Sequence, residues 1–247
     1  MNKTEKNWDK MEEAYEQFTS GDDSYSRRIE WPCIRKMLPD LKGKSIIDLG
    51  CGTGRFAFWF EKEKPGRIVG VDLAAKKAKE LSSRVEFFKA DIAKPFTEEK
   101  FDFVFSSTVS HYIENLDALF SNVCGMLKPA GICIFSVMNP VYTAQYPIKK
   151  GENFPDDSEW TVRYLDKRER GYLQPWIEYN DSIANFLSYS FHHTFSDYIN
   201  AIIRSGMRIL ETQEPLPPEE WKDRYPERYD NFLETPSYLI IRMQKQE

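Results

Sequence analysis

Ser45-Ile46-Ile47-Asp48-Leu49-Gly50-Cys51-Gly52-Thr53-Gly54-Arg55-Phe56 is the stretch whose reading decides the fold. Apolar and β-prone residues run from Ser45 to Asp48 into a turn with glycines at 50, 52 and 54. Phe56, Ala57, Phe58, Trp59 and Phe60 then resume as a helix-compatible block. The pattern predicts a strand, a tight glycine turn and a helix. A turn without side chains lets the backbone come into contact with a ligand, and the helix behind it offers unpaired N–H groups and a positive dipole end. Together these predict a nucleotide-type cleft. A dinucleotide fingerprint needs its third glycine three residues after the second, where Arg55 stands, so the G-x-G-x-x-G pattern fails at its last member. Asp48, two residues before the first glycine, puts a carboxylate where a phosphate would gain nothing. A ligand that carries positive charge and no phosphate fits better.

Downstream, Arg67–Asp72 predicts a second strand that ends on a carboxylate. At the carboxyl end of the second strand of a doubly wound sheet, such a group reaches both ribose hydroxyls. Asp72 would equally suit the N-cap of a helix at Ala74–Leu81. Val85–Lys89 predicts a third strand, closed by Ala90-Asp91-Ile92, where Asp91 could also start a turn toward Pro95. Phe101–Phe105 is nearly all apolar, as a strand buried on both faces is, and runs into Ser106-Ser107-Thr108 at the edge where ligands sit in open α/β sheets. A helix through Leu116, Leu119, Phe120, Val123 and Leu127 stops at Lys128-Pro129-Ala130-Gly131, and Gly131–Val137 is a fifth strand. Strands alternating with helices of this length imply a parallel, doubly wound sheet.

Flanking this core, Trp8, Met11, Tyr15 and Phe18 recur at helical spacing over 7–19, and a second helix is expected around Pro32–Leu38. From Tyr142 to Gln174 periodicity is lost and aromatic residues crowd. Six basic residues balance six acidic ones between Lys149 and Arg170. An insertion of this length reads as a lid or binding loop, or as a segment with its own aromatic core. Asn139-Pro140-Val141-Tyr142 reads as a loop, and Trp176–Phe191 as an added strand or pair. Thr194 caps a helix that ends at Ser205-Gly206. Met207–Glu214 and Ser237–Gln244 are the last two strands, joined by a long connection through the charged 219–231 segment.

The acidic residue with G-x-G-x-G (Asp48, Gly50, Gly52, Gly54), the segment F-D-F-V-F-S-S-T-V-S-H-Y-I from Phe101 and the turn L-K-P-A-G-I from Leu127 resemble the class I S-adenosylmethionine-dependent methyltransferases, small-molecule, type 11-like. The resemblance spans almost the whole chain and is most specific over 45–137. It implies a Rossmann-like, doubly wound, seven-stranded, mostly parallel sheet with an antiparallel C-terminal hairpin and an inserted lid. The implied organisation is one domain over 1–247, with a helical cap at 1–43, a cofactor-binding core at 44–138 and a substrate lid at 139–192. S-adenosylmethionine would be held by Asp48, Gly50, Cys51, Gly52, Gly54, Asp72 with Leu73 (ribose), Asp91 with Ile92 (adenine) and Ser107, while Tyr25 or Arg28 from the cap meets the methionine carboxylate. His111, just beyond the fourth strand, is the candidate general base or orienting group. The acceptor would be a small molecule. The alternative is a non-catalytic module that binds S-adenosylmethionine or S-adenosylhomocysteine, or a partner subunit.

Bulk properties narrow the classes further. At 247 residues with 41% hydrophobic and 30% charged, the chain fits an ordinary globular domain. A net charge of -5 argues against a general nucleic-acid or anionic-membrane binder, since phosphate neutralisation needs a basic face. The four cysteines and three histidines show no metal-ligand spacing, so no metal is expected and a reduced, cytoplasmic setting is the simplest reading. No signal peptide or membrane-spanning run is read from the sequence, and oligomeric state is left open.

Overall fold

The computed structural model describes Trp8, Tyr15, Thr19 and residues 21–73, 84–147, 160–173 and 187–246. Most of the helix expected over 7–19, all of that at 74–81, and parts of the insertion lie outside the described residues. In chain order the strands are β1 (Ser45–Leu49), β2 (Arg67–Asp72), β3 (Val85–Lys89), β4 (Phe101–Ser107), β5 (Leu127–Met138), β6 (Gln145–Pro147), β7 (Trp160–Val162), β8 (Glu169–Leu173), β9 (Leu187–Phe191), β10 (Met207–Gln213) and β11 (Tyr238–Lys245). The helices are α1 (Trp31–Met37), α2 (Arg55–Glu61), α3 (Leu116–Met126), α4 (Pro140–Ala144), α5 (Phe195–Arg204), α6 (Trp221–Arg224) and α7 (Pro226–Glu234). A π-helical turn, Ser26–Glu30, leads into α1.

Seven strands form one sheet in the order β3-β2-β1-β4-β5-β11-β10. β3, β2, β1, β4 and β5 run parallel to one another, while β11 is antiparallel to both β5 and β10. Period-two alternation distributes the side chains between two layers. Ile47 and Leu49 of β1 join the cluster with Leu119, Phe120 and Val123 of α3 and Ile202 of α5. Ile46 faces the other way, with Ile34 and Met37 of α1 and Ala57 and Phe60 of α2. Burying a side chain such as Phe103, which is fully covered, stabilises the fold by roughly 1.5–3 kcal/mol. Chain order reverses between β1 and β4, and the crevice outside their carboxyl ends is the topological switch point of the sheet.

Local chemistry fixes the element ends. Asn115 Oδ1 accepts from Ala118 N at the start of α3, and Thr194 with Asp197 forms a reciprocal capping box for α5. Three expectations need correction. Lys128–Gly131 is not a turn ahead of the fifth strand: α3 ends at Met126, β5 starts at Leu127, and the four residues bulge as the register passes from Phe101↔Leu127 to Phe103↔Ile132. Asn139-Pro140-Val141-Tyr142 is a helix start, with Asn139 Oδ1 accepting from Val141 N and its Nδ2 donating to Glu214 Oε1 at 2.8 Å. The 219–231 connection contains α6 and α7, whose Trp221, Tyr229 and Phe232 build a third core cluster with Ile29 and Tyr238. Within the described part of the insertion, β6 pairs with β7 and β8 with β9, both antiparallel.

Candidate functional site

The glycine turn folds back onto β2: Gly50 N and Cys51 N donate to Val71 O at 2.7 and 3.1 Å, and Gly52 N donates to Asp72 Oδ2 at 2.9 Å. Gly50 has φ +73° and an added Cβ would meet Val109. Gly54, at φ +83° on the N-cap of α2, would drive a Cβ to within 2.6 Å of Phe87. Both positions therefore demand glycine twice over, by backbone hand and by space. Thr108, directly after β4, also takes a positive φ of 52°. A non-glycine residue in that region costs about 1–3 kcal/mol and marks a constrained segment at the crevice.

A cavity of about 450 Å³ opens over the carboxyl ends of β1, β2 and β4. Gly50, Gly52, Asp72, Leu73, Asp91, Ile92 and Ser107, all anticipated from the sequence, line it. Asp91 serves in both readings, since its Oδ1 also accepts from Ala93 N at 3.1 Å to close a turn. Glu169 of β8 and Phe191 of β9 reach the same cavity from the insertion.

Other anticipated residues shape the site from behind rather than line it. Asp48 is only 2% exposed. The backbone N–H of Ala57 in α2 favours its charged form, while its Oδ2 has no hydrogen-bond partner among the described residues. Burial, reinforced by the negative charge of Asp72, pushes the Asp48 carboxyl up to about 8. Cys51 packs into the core and Gly54 faces Phe87, so neither meets the cavity. Arg28 is turned away, paired with Glu220 and lying 3.9 Å from Asp23. Tyr25 packs edge-on to Phe232 with Arg228 over its ring, 4.3 Å from the centroid.

Tyr25 does border a second, smaller chamber of about 150 Å³ that shares Trp8, Tyr15, Ser107, Thr108 and Tyr112 with the first. Its walls include the rings of Phe56, Tyr142 and Tyr238, and its polar groups include Glu30, Arg55 and His111. Arg55 Nη1 donates to Ser26 Oγ at 3.1 Å and Nη2 to Thr19 Oγ1. The basic residue facing the chamber is thus Arg55, behind the glycine turn, and not Arg28. Glu30 is 1% exposed and accepts from Ser107 Oγ at 2.5 Å. Burial pushes it up to about 7, against the Ser107 and Ser136 hydroxyls and the Arg55 charge. His111 is buried with its ring centroid 4.0 Å from that of Tyr112, and its Nδ1 has no hydrogen-bond partner among the described residues. Burial lowers it to about 3, so the ring is neutral.

His192 and His193 have structural partners. His192 Nε2 donates to Tyr164 O at 2.7 Å, and His193 Nε2 to Ile113 O at 2.8 Å.

The donor set suits S-adenosylmethionine. An orphaned, buried carboxylate oxygen under a side-chain-free turn, with a second carboxylate raising its proton affinity, is a site that a cation relieves and a pyrophosphate aggravates. Asp72 at the end of β2 and the apolar Leu73, Ile92 and Ala93 suit a ribose and a flat purine.

Comparison with known proteins agrees with this geometry. Residues 47–135 match the family described as Methyltransferase domain. The crystal structure of an S-adenosylmethionine-dependent methyltransferase from Mesorhizobium loti is 30% identical, with a TM-score of 0.71, covering 87% of this chain and 97% of that one. An uncharacterised protein of Haemophilus influenzae is 28% identical over 97% of this chain and 96% of its own. Malonyl-[acyl-carrier protein] O-methyltransferase of Hamiltonella defensa is 30% identical over 42% of each chain. These likenesses decide for an enzyme over the non-catalytic module. The chain belongs to the class I S-adenosylmethionine-dependent methyltransferases.

Proposed function

We propose that the protein transfers a methyl group to a small organic acceptor held in the second chamber, with the donor in the first. The observation that carries this reading is the junction of the two chambers at Ser107 and Thr108, at the switch point of the sheet. The bound donor supplies a methyl already made electrophilic by its sulfonium. What the chain contributes is alignment of nucleophile and methyl at about 3–3.5 Å. In this reading Asp72 accepts from the ribose, Asp91 and Ile92 bracket the adenine, the turn meets the charged amino acid end with Asp48 buried beneath it, and Arg55, in the wall of the adjoining chamber, takes its carboxylate. The insertion, through Glu169 and Phe191, acts as the lid.

A ring-sized, aromatic second chamber and a net charge of -5 favour a small metabolite over a nucleic acid. The four free cysteines fit a reducing, cytoplasmic setting, and no helix among the described residues is long and apolar enough to cross a membrane. The test is incubation with methyl-labelled donor and separate metabolite, RNA and protein fractions. Label in a small product supports the proposal, and label confined to RNA or protein contradicts it.

A further inference from the structure

Glu30 is a second buried acid, after Asp48, and the one that borders the smaller chamber. Its Oε1 accepts from Ser107 Oγ, the buried Ser136 hydroxyl also favours its charged form, and the side chain sits at the wall of an otherwise largely aromatic chamber. The charged and titratable groups around it are Arg55 behind the glycine turn, Tyr15 on the N-terminal segment, His111 after β4, Tyr238 on β11, Asp48 on β1 and Cys33 on α1. Of these only Arg55 is a cation, and its guanidinium donates to Thr19 and Ser26. A buried carboxylate in ion pair with no cation among the described residues, beside ring walls that stabilise cations through their faces, is a recognition site for a protonated amine. A second observation points the same way: His111 Nδ1, buried and without a hydrogen-bond partner among the described residues, borders this chamber as a neutral group that can orient an N–H. The volume of about 150 Å³ is that of a cavity known to admit one benzene ring, about 150 Å³.

We propose that the acceptor is a small, ring-sized amine and that Glu30 is a catalytic residue, pairing with its ammonium group and removing one proton from it. This rests on the methyl-transfer reading above. Glu30 takes the proton and frees the nitrogen lone pair. That pair forms the N–C bond as the S–C bond breaks with its electrons kept by sulfur, the product leaves as a methylammonium ion, and Glu30 returns its proton to water. Of the two candidate bases, Glu30 at about 7 is near the working pH, whereas His111 at about 3 holds a proton too weakly.

The test uses the full chain with S-adenosylhomocysteine bound, titrated calorimetrically at pH 8 with benzylamine and with its neutral counterpart, benzyl alcohol. Wild type is expected to prefer the amine at least tenfold, and Glu30→Gln to erase that preference while holding S-adenosylhomocysteine within twofold. Ser107→Ala, which keeps the carboxyl and removes its donor, is expected to reduce the preference by a smaller factor and carries the test if Glu30→Gln does not fold. In the ligand-free protein, Glu30→Gln is expected to raise the unfolding temperature at pH 8 and leave it unchanged at pH 5, because only at the higher pH is the buried carboxylate charged. An amine preference that survives Glu30→Gln, absence of any preference in wild type, or a lower unfolding temperature of Glu30→Gln at pH 8 overturns the inference. Failure of wild type to bind S-adenosylhomocysteine overturns the methyl-transfer reading, and this inference with it.

Discussion

Donor binding is expected to tighten as pH rises from 6 to 8, because a cation held on the glycine turn favours the charged form of Asp48 beneath it. Burial and the neighbouring Asp72 charge hold Asp48 at about 8 in the ligand-free fold. If the bound state needs the carboxylate, each unit below that value costs about 1.4 kcal/mol of binding. Two units amount to about 2.7 kcal/mol, a loss of affinity of up to roughly 100-fold. Titration calorimetry of S-adenosylhomocysteine in buffers of different ionisation enthalpy measures both the slope and the proton released. Asp48→Asn, a neutral isostere, is expected to bind more weakly at pH 8 and to lose the slope. The mutant also subtracts any titration of the ligand's own amino group, which would persist in it. The same shift has a stability consequence of fixed sign. The folded chain keeps a proton on Asp48 that the unfolded chain releases above about pH 4. Stability from this group is therefore present at low pH and declines up to about pH 8. Asp48→Asn should accordingly raise the unfolding temperature of the ligand-free protein at pH 8. A flat affinity profile in wild type, or an equal slope in Asp48→Asn, would refute the reasoning.

Three further outcomes are expected. Asp72→Ala should weaken donor binding by about 1.5–3 kcal/mol, the range for a hydrogen bond to a charged group, with the fold retained; unchanged affinity by calorimetry removes the ribose assignment. Gly50→Ala meets both a positive φ and the Val109 side chain, so a stability loss of more than about 1 kcal/mol is expected in denaturant titration, together with weaker donor binding. A wild-type unfolding midpoint would contradict that. His111→Ala should leave donor affinity intact and lower turnover without removing a limb of the pH–rate profile, since an imidazole held near 3 does not titrate in the working range; loss of a limb would restore it as the base.

The central sheet was legible because its strands are local statements. Arg67–Asp72 and Val85–Lys89 each carry their own apolar run and stop signal, and the glycine turn announces its backbone conformation residue by residue. Asp72 and Asp91 were legible for the same reason, standing at strand ends where topology alone puts them beside the crevice. What depends on distant packing was not. Trp221 reads as part of a charged connection until Ile29 and Tyr238 are brought to it. Arg28 and Arg55 compete for one role, and the decision rests on Glu220, 192 residues from Arg28 in the chain. Glu30 left a trace that went unread: it stands four and seven residues before Ile34 and Met37, both fully buried, so a lone acid occupied the apolar stripe of a helix. Its partner Ser107 is 77 residues away, and only the fold shows that the two meet.

What enters the first chamber decides most directly what the protein does. Calorimetric titration of the wild-type protein with S-adenosylhomocysteine and, separately, with NADH at pH 8 should give saturable one-to-one binding of the first and no heat from the second. Saturable binding of NADH with none of S-adenosylhomocysteine would contradict it.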